Sequence, residues 1–177
     1  MDSLPDAVAG KMGLLIGPRA EREAMLKVVA RLAQRGPVHI LDGGNSFDAF
    51  QVARHVRRQT PLLDQALDRI QVARAFTCYQ VVTLFAQTPA GSTPHLVLDM
   101  LATFYDESVS LAESERLLAI VIGHLGRLSH FAPVLVSVRP PLMPERSGLV
   151  RILCQAVDQV YAETPPVAPS TPTLFSR

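Results

Sequence analysis

The chain has 177 residues, and its 17 basic and 16 acidic side chains leave a formal net charge of +1. This length predicts one domain, and 48% apolar residues are enough for a hydrophobic core, which excludes a wholly disordered chain. The near-zero charge excludes the overall basic character of a dedicated nucleic-acid binder, although a local basic patch remains open. The two cysteines, Cys78 and Cys154, are too far apart in sequence to indicate a disulfide framework or a zinc site.

No apolar run is long enough to cross a membrane. The N-terminal residues carry Asp2 and Asp6 and lack the basic and apolar regions of a secretory signal. We therefore expect a cytoplasmic protein without a membrane partner. The histidines show no metal-ligand spacing, so no metal site is expected; they are His39, His55, His95, His124 and His130.

The first third of the chain alternates between strand and helix patterns. Residues 11–17 form a short apolar run that ends in glycine, which is typical of a buried strand. Residues 19–35 have apolar side chains at helical spacing, and residues 38–42 predict a second strand. A second helix is predicted at 47–58. The side chains expected to face the core from this helix are Phe47, Phe50 and Ala53.

The middle of the chain repeats the alternation. A third strand at 70–75 precedes a helix at 77–87, which begins with Thr77 and Gln80 in the spacing of a capping box. A turn rich in Pro, Gly and Ser then leads to a fourth strand at 95–100.

The last third contains two more predicted helices and two more predicted strands. A capping box opens a long helix that runs to about residue 130, and a fifth strand follows at 134–139. A proline-rich loop at 140–147 leads to a helix at 148–156 and a last strand at 159–163.

Strands that are apolar throughout and separated by helices predict an α/β fold. We expect a mostly parallel sheet of about six strands with helices on both faces. Residues 1–10 would be an N-terminal extension, residues 11–163 the core domain, and residues 164–177 a proline-rich disordered tail. Ligands of such folds bind outside the carboxyl ends of the strands, so any chemistry is expected in the loops that follow them.

Several of these loops, taken in order, resemble the core of the RecA/RadA-type recombinase ATPases, which are P-loop NTPases. The most specific stretch is 70–80 (IQVARAFTCYQ), which is similar to the family's third strand. Residues 41–47 (LDGGNSF) lie where the family has an aspartate, a catalytic acid, a glycine and a phenylalanine. Residues 96–103 (LVLDMLAT) look like the Walker B strand and include Asp99. The resemblance spans 12–163 and implies a RecA-like three-layer sandwich.

The resemblance places a degenerate phosphate-binding loop between the first strand and the first helix. The motif G-x-x-x-x-G-K-[ST] wraps phosphates with backbone amides, neutralises them with lysine and holds magnesium with a hydroxyl. Gly17 matches its first position, but Arg22, Glu23 and Ala24 replace the second glycine, the lysine and the hydroxyl residue. The family's water-activating glutamate would stand at Gly44. The resemblance therefore predicts a vestigial nucleotide site.

The charges of this loop also disfavour a bound triphosphate. Glu21 and Glu23 would repel it by roughly 3 kcal/mol per pair of charges at about 6 Å and an effective dielectric near 20, and Arg19 and Arg22 would offset part of this. The pair Gly17-Pro18 also matches an ordinary helix start, with glycine as the N-cap and proline at the first helical position.

Three other residues admit both a functional and a structural interpretation. Asp42 and Asp99 could be surviving acids of a magnesium site, or strand-end carboxylates that cap the turns after them. Arg74 matches a position of the resembled family, but an arginine in a strand could equally pair with a buried carboxylate.

Two groups of residues are candidates for contact with DNA or with a protein partner. The first is one face of the second helix, formed by Arg54, Arg57 and Arg58. The second belongs to the proline-rich loop and consists of Arg139, Leu142, Met143 and Arg146. Guanidinium groups suit phosphates, and exposed apolar side chains suit a protein surface. A solvated helix face and an ordinary surface loop remain open as alternatives.

Three functional hypotheses follow. The first is a degenerate RecA-like protein without ATPase activity or cofactor, acting as an accessory or regulatory partner in DNA recombination or repair; its partner would be a protein, for example an active RecA-like relative. The second is a divergent DNA-dependent ATPase that uses ATP and magnesium through Asp42, Asp99 and either Arg19 or Arg22. The third is a DNA-binding module that does not need ATP.

Overall fold

Six parallel strands form one sheet in the computed structural model, which describes residues 10–162. The strands are β1 (Met12–Ile16), β2 (Val38–Asp42), β3 (Ile70–Arg74), β4 (His95–Leu98), β5 (Val134–Val138) and β6 (Gln159–Ala162). Their spatial order is β3-β2-β4-β5-β1-β6, and every pairing is parallel. The apolar character of the central strands follows from this arrangement, because both faces of the sheet are covered.

Two layers of helices enclose the sheet. The helices are α1 (Arg22–Ala33), α2 (Ala49–Arg57), α3 (Leu63–Asp68), α4 (Cys78–Gln87), α5 (Leu111–Ser129) and α6 (Ser147–Ala156). The helices α1, α2 and α3 pack on one face around Met25 and Ile40, and α4, α5 and α6 pack on the other around Phe85 and Leu118. The result is the predicted α/β fold, a RecA-like three-layer sandwich.

Most predicted elements agree with the structure to within two residues at each end. The two capped helices begin where the sequence predicts. Thr77 Oγ1 accepts a hydrogen bond from the Gln80 amide at 3.2 Å, and Ser110 Oγ accepts one from the Glu113 amide at 3.2 Å. No helix within residues 10–162 is long and apolar enough to cross a membrane. The predicted tail, and the predicted N-terminal extension apart from Gly10, lie outside the described residues.

The start of α1 differs from the prediction. The Gly17 amide extends the pairing of β1 with β5 by donating to Val138 O at 3.2 Å, and the Ala20 amide turns back to Gly17 O at 2.9 Å. Ala20 and Glu21 then have positive φ angles of 52° and 45°, which are incompatible with a helix. The expectation of Gly17 as N-cap with Pro18 at the first helical position is therefore wrong, and α1 begins at Arg22.

The core face of α2 is also different. The helix begins after Asp48, whose carboxylate caps it, and it buries Val52 and Val56. Phe50 is 67% exposed, so its predicted inward position is wrong. Phe47, which was also predicted to face the core, is half-buried and packs on it, but it precedes the helix. The short helix α3, which follows, was not predicted from the sequence.

Candidate functional site

The carboxyl ends of the strands gather most of the predicted site residues, as the parallel sheet requires. Asp42 ends β2, and its Oδ2 lies 3.2 Å from Arg74 Nε at the end of β3. Asp99 follows β4, and its Oδ2 lies 3.4 Å from Arg139 Nε after β5. The loop of residues 17–21 follows β1 beside them. What this edge of the sheet can bind therefore depends on the hydrogen bonds and ion pairs that each carboxylate makes.

The Glu21 side chain occupies the loop of residues 17–21. A Cβ built on Gly17 would collide with Glu21 Oε1 and would lie 2.8 Å from Glu21 Cδ. The Glu21 side chain therefore folds back across the loop onto the Gly17 backbone. In an active phosphate-binding loop this backbone faces phosphate oxygens. A carboxylate in the same place repels an anion.

The three degenerate positions of the phosphate motif do not replace the lost groups. Arg22 turns towards the start of α2, where its Nε donates to Ser46 O at 2.8 Å and its Nη2 donates to Asp48 Oδ2 at 3.2 Å. Glu23 is exposed and pairs with Lys27 one turn further along α1, at 2.8 Å. This hydrogen bond holds the pKa of Glu23 below its usual value. Position 24 is an alanine and brings no hydroxyl.

Asp42 is buried and holds the chain that follows β2. Its Oδ1 accepts a hydrogen bond from the Ser46 amide at 2.8 Å, and its Oδ2 accepts one from the Phe47 amide at 2.9 Å. Oδ2 also pairs with Arg74, which in turn donates from Nη2 to Phe47 O at 3.2 Å. Three donors thus engage this carboxylate. The geometry favours the structural interpretation of both Asp42 and Arg74.

Asp99 is 3% exposed and lies against Gly44. A Cβ built on Gly44 would lie 2.5 Å from Asp99 Cβ and 2.6 Å from its Oδ2. Burial raises the pKa of Asp99, and the guanidinium and backbone amide of Arg139 oppose that rise. No side chain fits at position 44 unless Asp99 moves, so the place of the resembled family's catalytic glutamate is closed.

The candidate contact residues of the proline-rich loop differ in their burial. Arg146 is buried and donates from Nη1 to Phe104 O at 2.6 Å and from Nη2 to Val109 O at 2.6 Å. Its guanidinium satisfies loop carbonyls that would otherwise be unpaired. This burial removes Arg146 from the candidate contacts with DNA or a partner. Arg139 and Leu142 are exposed, and Met143 is half-buried.

Arginines from the degenerate loop and from the region of α2 line a single cleft. Its volume is about 650 Å³, and it lies between α1 and α2. Two arginines come from each side of the cleft: Arg19, Arg22, Arg54 and Arg58. Arg57 does not line it, although it was predicted together with Arg54 and Arg58. From the sequence, the two sides were predicted as separate candidates, because no local sequence pattern indicates that α2 packs against α1.

Within residues 10–162, no group of three or more His, Cys, Asp or Glu side chains is arranged to hold a metal ion. A scan against models of known protein families finds no match, and a search of curated proteins finds no significant relative.

Proposed function

We propose that the chain is a catalytically inactive RecA-like protein that acts as an accessory or regulatory partner in DNA recombination or repair. One observation carries the proposal: the Glu21 carboxylate folds onto Gly17 inside the loop that would hold a nucleotide's phosphates. A non-catalytic role requires no bound cofactor. The recombination setting and a RecA-like partner rest on the resemblance of residues 41–47, 70–80 and 96–103.

The requirements of phosphoryl transfer support an inactive site. The reaction depends on positioning and on neutralising phosphate charge, and a positioned general base contributes about 10²- to 10⁴-fold. Position 23 carries a negative charge where the motif has lysine, and Gly44 leaves the base position without a carboxylate. Three of the four substitutes considered from the sequence are engaged elsewhere: Asp42 with Arg74, Asp99 with Arg139, and Arg22 with Asp48. The divergent-ATPase alternative would have to break these contacts.

Calorimetric titration with ATP and a non-hydrolysable analogue, with and without magnesium, tests the inactive site. We expect no heat of binding at high protein concentration and no release of phosphate. Micromolar, magnesium-dependent binding would contradict the proposal. Turnover that disappears in Asp99→Asn would move the ATPase alternative to first place, whereas turnover that survives this substitution would indicate a contaminating enzyme.

A separate experiment tests the accessory role. The purified chain is mixed with an active RecA-like recombinase of the same organism, and the ATPase rate and the elution of both proteins are measured. We expect a complex and a changed ATPase rate at equimolar amounts. Unchanged rates and separate elution with every RecA-like relative of that organism would refute the role while leaving the inactive site intact.

A further inference from the structure

The cleft between α1 and α2 is lined by four arginines, and the proposed function leaves it unused. Its α1 side carries Arg19 and Arg22, and its α2 side carries Arg54 and Arg58. These four arginines line one space of about 650 Å³. The acidic lining residues are Glu21 and Glu23, so positive charges outnumber negative ones two to one.

Three of the four arginines take part in no ion pair within the described part of the chain. Among the ion pairs within residues 10–162, Arg22 pairs with Asp48, and none includes Arg19, Arg54 or Arg58. The nearest polar partner of Arg54 is neutral, since its Nη1 lies 3.4 Å from Gln51 Oε1.

The remaining charged groups around the cleft do not cancel this excess. Glu23 is held by Lys27, so this acid already has a cation beside it. His55 lies between the arginines of α2. Burial, together with the positive charges of Lys27, Arg58 and Arg54, lowers the pKa of His55 against the opposing effect of Glu23, so the imidazole is neutral at pH 7.

We propose that this cleft binds neighbouring phosphates of a nucleic-acid backbone. Guanidinium groups present forks of donors that match phosphate oxygens, and arginine is the residue most suited to such bidentate contacts. Arginines on both walls can contact phosphates along a strand. The described lining contains no Phe, Tyr or Trp side chain on which a base could stack. The cleft therefore recognises charge and spacing, not sequence, and this inference does not depend on whether the chain hydrolyses ATP.

Binding of a fluorescent 20-base-pair duplex, followed by anisotropy, tests the assignment. If Arg19, Arg54 and Arg58 each neutralise one phosphate, affinity falls about 40-fold between 50 and 200 mM salt. The double substitution Arg54→Gln/Arg58→Gln should weaken binding at least tenfold at 50 mM salt and reduce the slope of log K against log salt by about two. Both side chains are exposed, so the fold should persist, and thermal unfolding checks this.

Arg57→Gln is the matched control, because it removes the same charge from the same helix outside the cleft. It should weaken duplex binding less than about threefold. Equal weakening by Arg57→Gln and Arg54→Gln would mean that only the general surface charge acts, and would overturn the proposal. Absence of duplex binding at 50 mM salt would also overturn it.

Inorganic tripolyphosphate separates the two sources of phosphate. We expect it to compete with the duplex only at millimolar concentration, since it cannot extend along the cleft as a strand does. Submicromolar binding of tripolyphosphate that is lost in Arg19→Gln, without duplex binding, would assign the cleft to a free polyphosphate and refute the backbone proposal.

Discussion

Gly44 shows how a single position restricts the chemistry of this edge of the sheet. Replacing it by glutamate would restore the acid of the resembled ATPases in sequence, but its Cβ would meet Asp99 at 2.5 Å. We expect Gly44→Glu to lower the free energy of unfolding by about 2 kcal/mol through overpacking and to produce no ATPase activity. Urea denaturation measures the first effect and phosphate release the second.

Gly91→Ala is the control for this substitution, because a Cβ at position 91 has nothing within 4 Å. It should change the free energy of unfolding by less than about 0.5 kcal/mol. A Gly44→Glu protein as stable as the wild type would show that Asp99 can move, and would reopen the catalytic position.

The buried side chain of His95 should make the fold less stable in acid. It is 1% exposed, and its ring centroid lies 5.1 Å from that of His39. Within the described chain neither of its ring nitrogens has a hydrogen-bond partner. Burial, assisted by His39 and Arg127, lowers the pKa of His95 to about 4.

Because the unfolded chain takes up this proton near pH 6.5 and the folded chain only near pH 4, stability is full above pH 6.5 and falls as pH drops towards 4. The contribution of His95 to this loss is about 2 kcal/mol between pH 7 and 4.5. We expect His95→Leu to remove that part of the pH dependence in urea titrations. His130→Leu, at an exposed histidine, should keep the wild-type profile, and an unchanged profile in His95→Leu would contradict the assignment.

At the scale of elements, Arg146 connects the proline-rich loop to the segment before α5. Its bonds to Phe104 O and Val109 O need a planar fork with two donors, which lysine cannot supply. Arg146→Lys keeps the charge but should lower the free energy of unfolding by about 2–3 kcal/mol. Chemical denaturation measures the loss. Arg151→Lys, at an exposed position of α6, should be neutral, and equal stability of both variants would show that the buried bonds contribute little.

The predictability of each element depends on how local its determinants are. The helices after Thr77 and Ser110 could be located because their caps lie within three residues. The start of α1 could not, because strand pairing to Val138 and the turn at Ala20 fix it. Phe50 was misplaced because aromatic character indicates burial only on average, and the packing of α1 on α2 selects Val52 instead.

The burial of Arg146 and the position of Glu21 were equally beyond sequence reasoning. Both side chains are polar and lie in loops, where solvent exposure is the usual outcome. The carbonyls that hold Arg146 come from residues 104 and 109, far away in sequence. The cleft could not be predicted either, because it also depends on contacts between distant residues. Arg19 and Arg54 line one cleft only because α1 packs against α2.

The whole molecule offers a gain-of-function test of its resemblance to RecA-type ATPases. The fourfold substitution Glu21→Gly/Arg22→Gly/Glu23→Lys/Ala24→Thr rebuilds the phosphate motif after Gly17. We expect it to confer magnesium-dependent binding of ATP, visible by calorimetry, without hydrolysis, because Gly44 is unchanged. The triple variant that keeps Glu21 should bind more weakly, since its carboxylate still lies on the loop. A folded fourfold variant that binds no nucleotide would count against the resemblance.

The fold class could be predicted at this scale because alternation of buried strands and helices is a property of the whole chain. The strand order could not, since it depends on pairings between distant segments. The central place of β4, between β2 and β5, is one example.

The strand order also has a consequence for how the chain is made. The first strand, β1, pairs only with β5 and β6 in the described sheet, so its partners are the last strands to be synthesised. At about 5–20 residues per second, β1 leaves the ribosome roughly 6–25 s before β5. Leu14 and Leu15, which the finished sheet buries, stay exposed during that interval. Nascent chains therefore present an unpaired apolar strand to chaperones until β5 and β6 have been synthesised.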